Sequence, residues 1–403
     1  MTGVRRPPAR RRAHDARSAR AGPGRAARRA PRTPRGPSTP RTPGYALLLA
    51  VVGVLMVVGL VMVLSASSVT SVRQYGSTWS VFLKQVLWVA VGVGALVVTQ
   101  RVDHRRWRVL TGPLLVLAAV LLLLVLIPGV GVRVYGSSRW LGFGPFRIQP
   151  SELAKLALLL YAADLLGRRA DRMDDVRFTL RPVLVVTSVF VALVMLQPDM
   201  GTTMVICAIA LAVLFVAGTP LVPLAAVAVA GTGASLVLAM GEGYRRARLL
   251  AFLDPSADPS NTGYHTLQSL NALGEGGIGG VGLGAGRAKY GFLPNAHTDF
   301  IFAVLGEEAG LIGAILVVAL FCAFAVLGVR TAVRAPDRFG MLLAAGVTAW
   351  VCGQAFVNIG AVIGLLPVTG VPLPFVSAGG SSMVVTMAGV GMLLNVARHA
   401  REH

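Results

Sequence analysis

The chain has 403 residues, of which 55% are hydrophobic and only 14% charged, with a formal net charge of +21 and a mean hydropathy of +0.69. A soluble protein of this size could not cover so much apolar surface, and runs of about 18 or more apolar residues recur along the chain. These runs are continuous rather than alternating, which excludes a β-barrel. The composition therefore predicts an all-α polytopic membrane protein.

The first 43 residues differ from the rest of the chain. They contain thirteen Arg and one Asp, are rich in Pro and Ala, and carry a net charge of +12. Such a segment cannot bury enough apolar area to fold, so we predict a disordered cytoplasmic tail over residues 1–43. Its arginines suit anionic lipid headgroups and a topology signal better than nucleic acid, and no nucleic-acid partner is predicted.

About ten membrane helices are predicted in a transmembrane domain over residues 44–397, followed by a short C-terminal segment, 398–403. The predicted helices span residues 44–66, 81–100, 109–127, 152–167, 182–197, 201–218, 220–240, 300–327, 340–363 and 381–397. The motif LQPDMGTT (196–203) leaves one alternative open, because Pro198 could kink one longer helix instead of separating two.

Arginine sets the predicted orientation of these helices. The tail, the loops 101–108, 168–181 and 330–338, and the C-terminus together hold 27 of the 35 Arg residues. Cytoplasmic loops carry an excess of Lys and Arg, so both termini are predicted to lie in the cytoplasm. A large extracytoplasmic loop, residues 241–299, then joins the seventh and eighth helices.

Carboxylates beside apolar runs are the candidate functional groups, because a charge is costly in a bilayer. Asp299 stands at the start of the run FIFAVL, and Glu307 and Glu308 lie within the same apolar segment. These residues alone leave two roles for Asp299: a helix-start acid with Thr298 as cap, or a general base whose pKa is raised by partial burial. At least one of Glu307 and Glu308 must face the bundle and need a partner.

Two further stretches have alternative interpretations. Glu152 and Lys155, in PSELAK, lie three residues apart on one helix face and form either an intrahelical ion pair or a site for an anionic headgroup. The stretch GEGGIGGVGLGAG (274–286) contains a G-x-G-x-x-G match, but no strand–helix unit surrounds it. We therefore reject a dinucleotide site and predict a flexible outer loop.

Six motifs occur together in an order and spacing that resemble one family. They are GSSRWL, FRIQPSELAK, LQPDMGTT, NTGYHTLQSLNALGEGGIGGVGLG, FLPNAHTDFIFAVLGEE and LLPVTGVPLPFVSAGGSS. The chain resembles the SEDS family of shape, elongation, division and sporulation proteins (FtsW/RodA) over roughly residues 44–397, and most closely the division-type branch of actinobacteria. It departs from many members at Asn295 and Ala378, where they have Glu and Tyr.

The resemblance implies a peptidoglycan glycosyltransferase that polymerises lipid II, an undecaprenyl-diphosphate-linked disaccharide peptide, at the outer face of the plasma membrane for septal wall synthesis. It assigns the catalytic role to Asp299, as the base for the attacking 4-hydroxyl of GlcNAc. It implies no organic cofactor and leaves a divalent cation (Mg or Mn) open. The implied partners are a class B penicillin-binding protein transpeptidase, other divisome proteins and membrane lipids.

The same resemblance predicts the residues that bind the substrate. Positive charge to offset the leaving diphosphate would come from Arg139, Lys155, Lys289, Arg245 and Arg248. The other predicted contacts lie in or beside the matching motifs: Glu152, Gln197, Asp199, His297, Thr298, Glu307, Ser377, Gly379, Gly380 and Ser381.

Three other functions stay open at this point: a lipid II flippase, an elongation polymerase of the RodA type, and a non-catalytic scaffold. A flippase needs polar groups spread through the bilayer midplane, whereas the polar motifs here cluster at the predicted outer ends of helices. A scaffold predicts that the substitution Asp299→Asn is harmless.

Overall fold

The structure is a computed structural model that describes residues 43–134, 137–143, 146–241, 243–261 and 263–400. Within these ranges the chain forms twelve α-helices: α1 (Pro43–Tyr75), α2 (Ser80–Arg101), α3 (Trp107–Leu126), α4 (Pro150–Arg168), α5 (Leu180–Met195), α6 (Met200–Ala217), α7 (Leu221–Gly241), α8 (Gly243–Leu253), α9 (Tyr264–Gly276), α10 (Ile301–Val333), α11 (Arg338–Val362) and α12 (Gly380–Arg398). The predicted tail lies outside the described residues apart from Pro43. The predicted C-terminal segment is described only as far as residue 400.

Each of the ten predicted membrane segments coincides with one of the helices α1–α7 and α10–α12. In the described part of the chain, seven helices are long and apolar enough to cross a membrane: α1, α2, α3 with its preceding turn, α6, α10, α11 and α12. The apolar stretches of α5 and α7 are shorter. Helix α4 contains four residues of charged type, and most of it is buried among other helices. Several helices can thus cross a membrane, as a multi-pass protein requires.

A small sheet corrects the all-α prediction. Three antiparallel strands lie between α3 and α4: β1 (Gly131–Val134), β2 (Ser137–Phe143) and β3 (Phe146–Ile148). The central strand pairs with both neighbours, so that Leu141 lies opposite Gly131 on one side and Ile148 on the other. The strands contain β-branched and aromatic residues, which favour an extended over a helical conformation.

The break between α5 and α6 is a true helix boundary. Asp199 caps α6, since its Oδ1 accepts the main-chain N–H of Thr202 at 3.1 Å. A side-chain oxygen at this position satisfies a donor that has no partner within the helix. LQPDMGTT therefore separates two helices, and the alternative of one kinked helix is wrong.

Helix α11 is central to the bundle, packed against α4, α6 and α10. Most of its residues are buried, including Trp350, Gln354 and Asn358. Buried polar groups in proteins are almost always hydrogen-bonded, so the two amides need specific partners. Those partners define the candidate site described below.

A polar cluster closes the end of the bundle that is predicted to be cytoplasmic. Asp337 caps α11, and its carboxylate accepts from Gly340 N–H at 2.8 Å, Arg105 Nε at 2.7 Å and the buried ring of His104 at 3.1 Å. The His104 main-chain N–H donates to Asn395 of α12 at 2.9 Å. Burial alone would raise the pKa of Asp337, but these hydrogen bonds outweigh it and hold the pKa below its ordinary value.

Candidate functional site

Asp299 lies in the turn that leads into α10. The helix begins at Ile301, and its cap residue Phe300 makes no side-chain hydrogen bond. Thr298 is therefore not the helix cap, and the alternative in which it caps this helix is wrong; its Oγ donates instead to the carbonyl of Asn295 at 3.2 Å. Asn295 has a φ of +56°, a left-handed conformation that Asn tolerates better than most residues. This turn, rather than a regular helix start, presents the Asp299 carboxylate.

Residues 363–379, which we call the site loop, join α11 to α12 and pack on the Asp299 turn. Ser377 Oγ donates to the carbonyl of Thr298 at 2.6 Å, and Ala378 N–H donates to that of His297 at 3.0 Å. Gly370 has a φ of +74°, and a Cβ placed there would lie 3.7 Å from Asp299 Oδ2. The loop therefore approaches the carboxylate at a residue that has no side chain.

His297 lies two residues before Asp299, in the same turn. Its side chain is half-buried, and this burial lowers the pKa of His297 below its ordinary value. Burial therefore favours the neutral form of this imidazole.

Two side-chain amides of α11 donate hydrogen bonds to the site loop. Asn358 Nδ2 donates to the carbonyls of Asp299 and Val371, both at 2.8 Å. Gln354 Nε2 donates to the carbonyl of Pro372 at 2.9 Å. The residues lie one helical turn apart on one face, so that α11 fastens both the site loop and the Asp299 turn.

Glu152 and Lys155 form a buried ion pair next to Gln354. Lys155 Nζ lies 2.8 Å from Glu152 Oε1 and 2.8 Å from Gln354 Oε1, and it faces the Trp350 ring at 5.2 Å. Both charged side chains are almost completely buried. The ion-pair interpretation from the sequence is confirmed, but the pair is internal rather than open to a headgroup. A direct contact of either residue with substrate stays a prediction and would need these partners to exchange.

The predicted residues Arg139, Gln197 and Asp199 come together at the start of α6. Arg139 donates to the carbonyls of Gln197 and Pro198, and its Nη1 lies 3.8 Å from Asp199 Oδ1. Gln149 Nε2 also donates to Asp199, at 3.3 Å. The guanidinium therefore fastens β2 to the α5–α6 turn, which limits its freedom to meet a diphosphate.

The start of α12 adjoins the same region. Gly379 caps the helix, Gly380 lies against the Trp88 indole, and Ser381 Oγ accepts from the main-chain N–H of Gln149 at 3.1 Å. At α6, Gly201 packs so closely on the site loop that a Cβ would lie 2.7 Å from the carbonyl oxygen of Thr369. The N-termini of α4, α6, α10 and α12 are thus grouped around the site loop.

Glu307, Glu308 and Lys289 form a second buried cluster, and both glutamates have partners, as the sequence required of at least one. Glu308 accepts from Lys289 Nζ at 2.8 Å and from Ser65 of α1 at 2.6 Å. Glu307 accepts from the main-chain N–H groups of residues 287 and 288. We call Ser65, Lys289 and Glu308 the α1 clamp. Substrate binding by Lys289 or Glu307 stays a prediction, because their polar atoms already have protein partners.

The glycine-rich loop is held against α10 and is not the flexible segment that its composition predicts. Gly310, with a φ of +67° and a ψ of −168°, interrupts α10. The main-chain groups released by this break bond to the loop: Leu311 N–H donates to Gly277 O at 2.9 Å, and Gly282 N–H donates to Glu308 O at 3.1 Å. The glycines permit this close backbone contact, which explains their number.

The structure does not place the predicted diphosphate contacts Arg245 and Arg248, or the divalent cation that the family resemblance leaves open. The side chains of Arg245 and Arg248, on α8, lie outside the described residues. Among the residues that the structure describes, no group of three or more His, Cys, Asp or Glu side chains could hold a metal ion. Asp199 and Glu152 already accept hydrogen bonds from protein donors, and a divalent cation stays a prediction.

Sequence reasoning missed the amides that organise the site. Gln149, Gln354 and Asn358 were not singled out, and neither was Ser65 of the α1 clamp. For Gln354 and Asn358 a signal exists, since polar residues four apart in an otherwise apolar helix share one face and need partners. The identity of those partners follows only from the tertiary structure.

Comparison with known proteins is consistent across sequence and structure. The FtsW/RodA/SpoVE family model, described as "Cell cycle protein", matches residues 45–402. A probable peptidoglycan glycosyltransferase FtsW of Geobacter metallireducens is 43% identical over 351 residues, covering 87% of this chain and 92% of the relative. Its namesake from Mycobacterium tuberculosis is 43% identical over 358 residues, covering 89% and 68%.

One solved structure has a TM-score of 0.71 and 30% sequence identity to this chain. It is described as "Structural coordination of polymerization and crosslinking by a peptidoglycan synthase complex". The match covers 87% of this chain and 97% of that one. The family resemblance that the six motifs indicated is confirmed by a match over nearly the whole described domain. The chain belongs to the FtsW/RodA/SpoVE family.

Proposed function

We propose that this chain is a peptidoglycan glycosyltransferase that polymerises lipid II into glycan strands for septal wall synthesis in cell division. The relatives named above, called probable peptidoglycan glycosyltransferase FtsW, support the reaction and the septal role. Within the structure, the observation that carries the proposal is the Asp299 carboxylate, presented by a turn at the start of an apolar helix and faced by Gly370 of the site loop.

The proposed topology has ten membrane crossings, both termini in the cytoplasm, and residues 241–299 outside the cell. The helices that coincide with the ten predicted segments support it, and so does the concentration of Arg in the loops assigned to the cytoplasm. In this arrangement the Asp299 turn, the site loop and the N-termini of α4, α6, α10 and α12 share the outer side of the plasma membrane. A lipid-linked substrate in the outer leaflet would reach them at the bilayer edge.

In the proposed mechanism, Asp299 acts as general base. Its carboxylate accepts the proton from the 4-hydroxyl of the incoming GlcNAc as that oxygen forms a bond to C1 of the donor sugar. The bond from C1 to the diphosphate oxygen breaks, and undecaprenyl diphosphate leaves with the electron pair. A single displacement of this kind inverts the configuration at C1. Asp299 then releases its proton to solvent before the next addition.

Charge on the leaving diphosphate is stabilised in this proposal mainly by main-chain dipoles. Helix N-termini carry partial positive charge and unpaired N–H groups that favour anions. Four of them surround the site loop, whereas Lys155, Lys289 and Arg139 are already paired within the protein. Arg245 and Arg248 stay candidates for a direct contact with the diphosphate.

The proposed partner is a class B penicillin-binding protein transpeptidase, together with other divisome proteins and membrane lipids. The similar solved structure described as a peptidoglycan synthase complex that coordinates polymerization and crosslinking supports such a partnership. Polymerisation and crosslinking act on the same strand, so a shared complex would pass the product directly between them.

The test is polymerisation of lipid II in liposomes by the purified protein with its transpeptidase partner. The variant Asp299→Asn keeps the shape of the side chain and removes the base, and Asp254→Asn makes the same change at an exposed acid in the predicted outer loop. We expect glycan strands from the wild type and from Asp254→Asn, and none from folded Asp299→Asn. Normal polymerisation by Asp299→Asn would place the site elsewhere. Transport of lipid II across the bilayer without polymerisation would favour the flippase.

A further inference from the structure

The two buried amides of α11 are unusual features in a helix that packs inside a membrane bundle. Gln354 and Asn358 are 0% and 2% exposed. An apolar side chain in either place would avoid the cost of burying an amide, which is high when a hydrogen bond is left unmade. What these amides contact therefore indicates what they do.

Asn358 joins the Asp299 turn to the site loop through both hydrogens of one amide nitrogen. The nitrogen donates to the carbonyls of Asp299 and Val371 at 2.8 Å each. The amide oxygen, Oδ1, is buried with no hydrogen-bond partner in the described residues. Rotating the amide by 180° would place Oδ1 against the two carbonyl oxygens, which repel it. The two hydrogen bonds donated by Nδ2 therefore fix the orientation of the Asn358 amide.

Gln354 anchors the neighbouring residue of the site loop, and its own amide is oriented by the buried ion pair. Its nitrogen donates to the carbonyl of Pro372 at 2.9 Å, next to Val371. Its oxygen accepts from Lys155 Nζ at 2.8 Å and from Trp350 Nε1 at 3.0 Å. The continuous chain of contacts thus runs from the ion pair through Gln354 to the loop, and the loop is joined to Asp299 through Asn358.

We propose that Asn358 is a positioning residue for the base, fixing the main chain of Asp299 against the site loop, with Gln354 and the Glu152–Lys155 pair as its anchor. This inference rests on the proposed function of Asp299. The carboxylate belongs to a turn that the helix itself does not hold, so its place depends on such cross-links. A displacement of about 1 Å at a reacting group can reduce a rate about 100-fold.

The experiment compares Asn358→Leu, Asn358→Asp and a matched control, Thr348→Val, in the lipid II polymerisation assay with the transpeptidase partner present. Thr348 is also buried in α11, but its hydroxyl bonds only within the helix, to the Ala344 carbonyl at 2.7 Å. We expect Asn358→Leu to lower kcat about 10- to 100-fold with KM unchanged, because the substrate contacts survive while the base is misplaced. Thr348→Val should keep the wild-type kcat.

The isosteric variant Asn358→Asp provides a pH readout that a purely structural residue would not give. As a carboxylate it faces two carbonyls and cannot hold the turn, whereas its protonated form donates one hydrogen bond. We expect its rate, divided by that of the wild type at the same pH, to rise as the pH is lowered. Dividing by the wild-type rate at each pH removes the effect of pH on the reaction itself.

The outcomes separate this inference from the proposed function. If Asp299→Asn polymerises normally, the function assigned to Asp299 fails, whatever Asn358 does. If Asp299→Asn is inactive but Asn358→Leu keeps the wild-type kcat, only the positioning role fails. If Asn358→Leu does not fold, Asn358→Asp decides: recovery relative to wild type at lower pH supports the role, and a ratio independent of pH overturns it.

Discussion

Removing the charge of Lys155 should destabilise the protein more than any surface change of the same kind. The Lys155 and Glu152 side chains are 1% and 2% exposed, and Glu152 Oε2 is already buried without a hydrogen-bond partner in the described residues. Lys155→Met would leave the remaining carboxylate buried with no counter-charge. Breaking a buried pair in this way costs about 3–5 kcal/mol, so we expect a loss of that size in the free energy of unfolding.

The double variant Glu152→Leu/Lys155→Met should regain most of this loss. Replacing a whole buried ion pair by apolar residues of similar volume is often neutral or stabilising. The two substitutions should therefore be coupled by at least about 2 kcal/mol in a double-mutant cycle. Lys84→Met is the matched control, because Lys84 is exposed and its Nζ lies over the Tyr75 ring at 4.2 Å. We expect it to cost less than about 1 kcal/mol.

Chemical denaturation in mixed micelles, monitored by tryptophan fluorescence, measures these free energies. The reasoning is refuted if the free energy of unfolding of Lys155→Met lies within about 1 kcal/mol of the wild-type value, since an unpaired buried carboxylate should cost more than that. It is refuted equally if the double variant loses as much unfolding free energy as the single variants Glu152→Leu and Lys155→Met lose together. Either result would mean that water reaches the pair or that its surroundings relax around the remaining charge.

Three further predictions follow from other residues. Lys289→Met should lower stability by about 3–5 kcal/mol but leave KM for lipid II unchanged, and a raised KM with normal stability would show substrate binding instead. Gly370→Ala should cost about 1–2 kcal/mol because of its positive φ, and it should lower kcat because relief of this strain shifts the site loop against the Asp299 turn, whereas Gly94→Ala, with open space around it, should keep the wild-type kcat. Because the folded-state pKa of Asp337 is lowered, its stabilisation is present above the unfolded pKa, near 4, and is lost as the pH falls through the folded value. Unfolding midpoints measured on the acid side should therefore fall more steeply for the wild type than for Asp337→Asn.

Local features of the sequence were enough to predict the helices and the position of Asp299. Apolar runs of sufficient length must be helical in a bilayer, because every main-chain group needs an internal partner. For this reason the ten predicted segments coincide with helices to within a few residues at most ends. Asp299 was conspicuous as a carboxylate beside such a run, whereas the role of Asp199 as the cap of α6 emerged only from the structure.

Prediction failed where the outcome depended on distant residues. Composition made the glycine-rich loop look flexible, but the break at Gly310 releases main-chain groups of α10 that the loop then satisfies. Binding of the diphosphate by Lys289 stays a prediction, but the sequence did not reveal that Ser65, more than two hundred residues away in the chain, helps to hold this lysine with Glu308. No spacing rule reports such a contact.

The sequence by itself determined that this chain is a helical membrane protein, where its helices run, and which family it belongs to, because apolar length, arginine distribution and ordered motifs are all readable along the chain. The tertiary structure alone decided which charges are satisfied. It paired Lys155 with Glu152 and Gln354, and it joined Asn358 to the Asp299 turn. The physical reason is that a buried polar group must find its partner in space, and the packing of α4, α10 and α11 brings those partners together from separate parts of the chain.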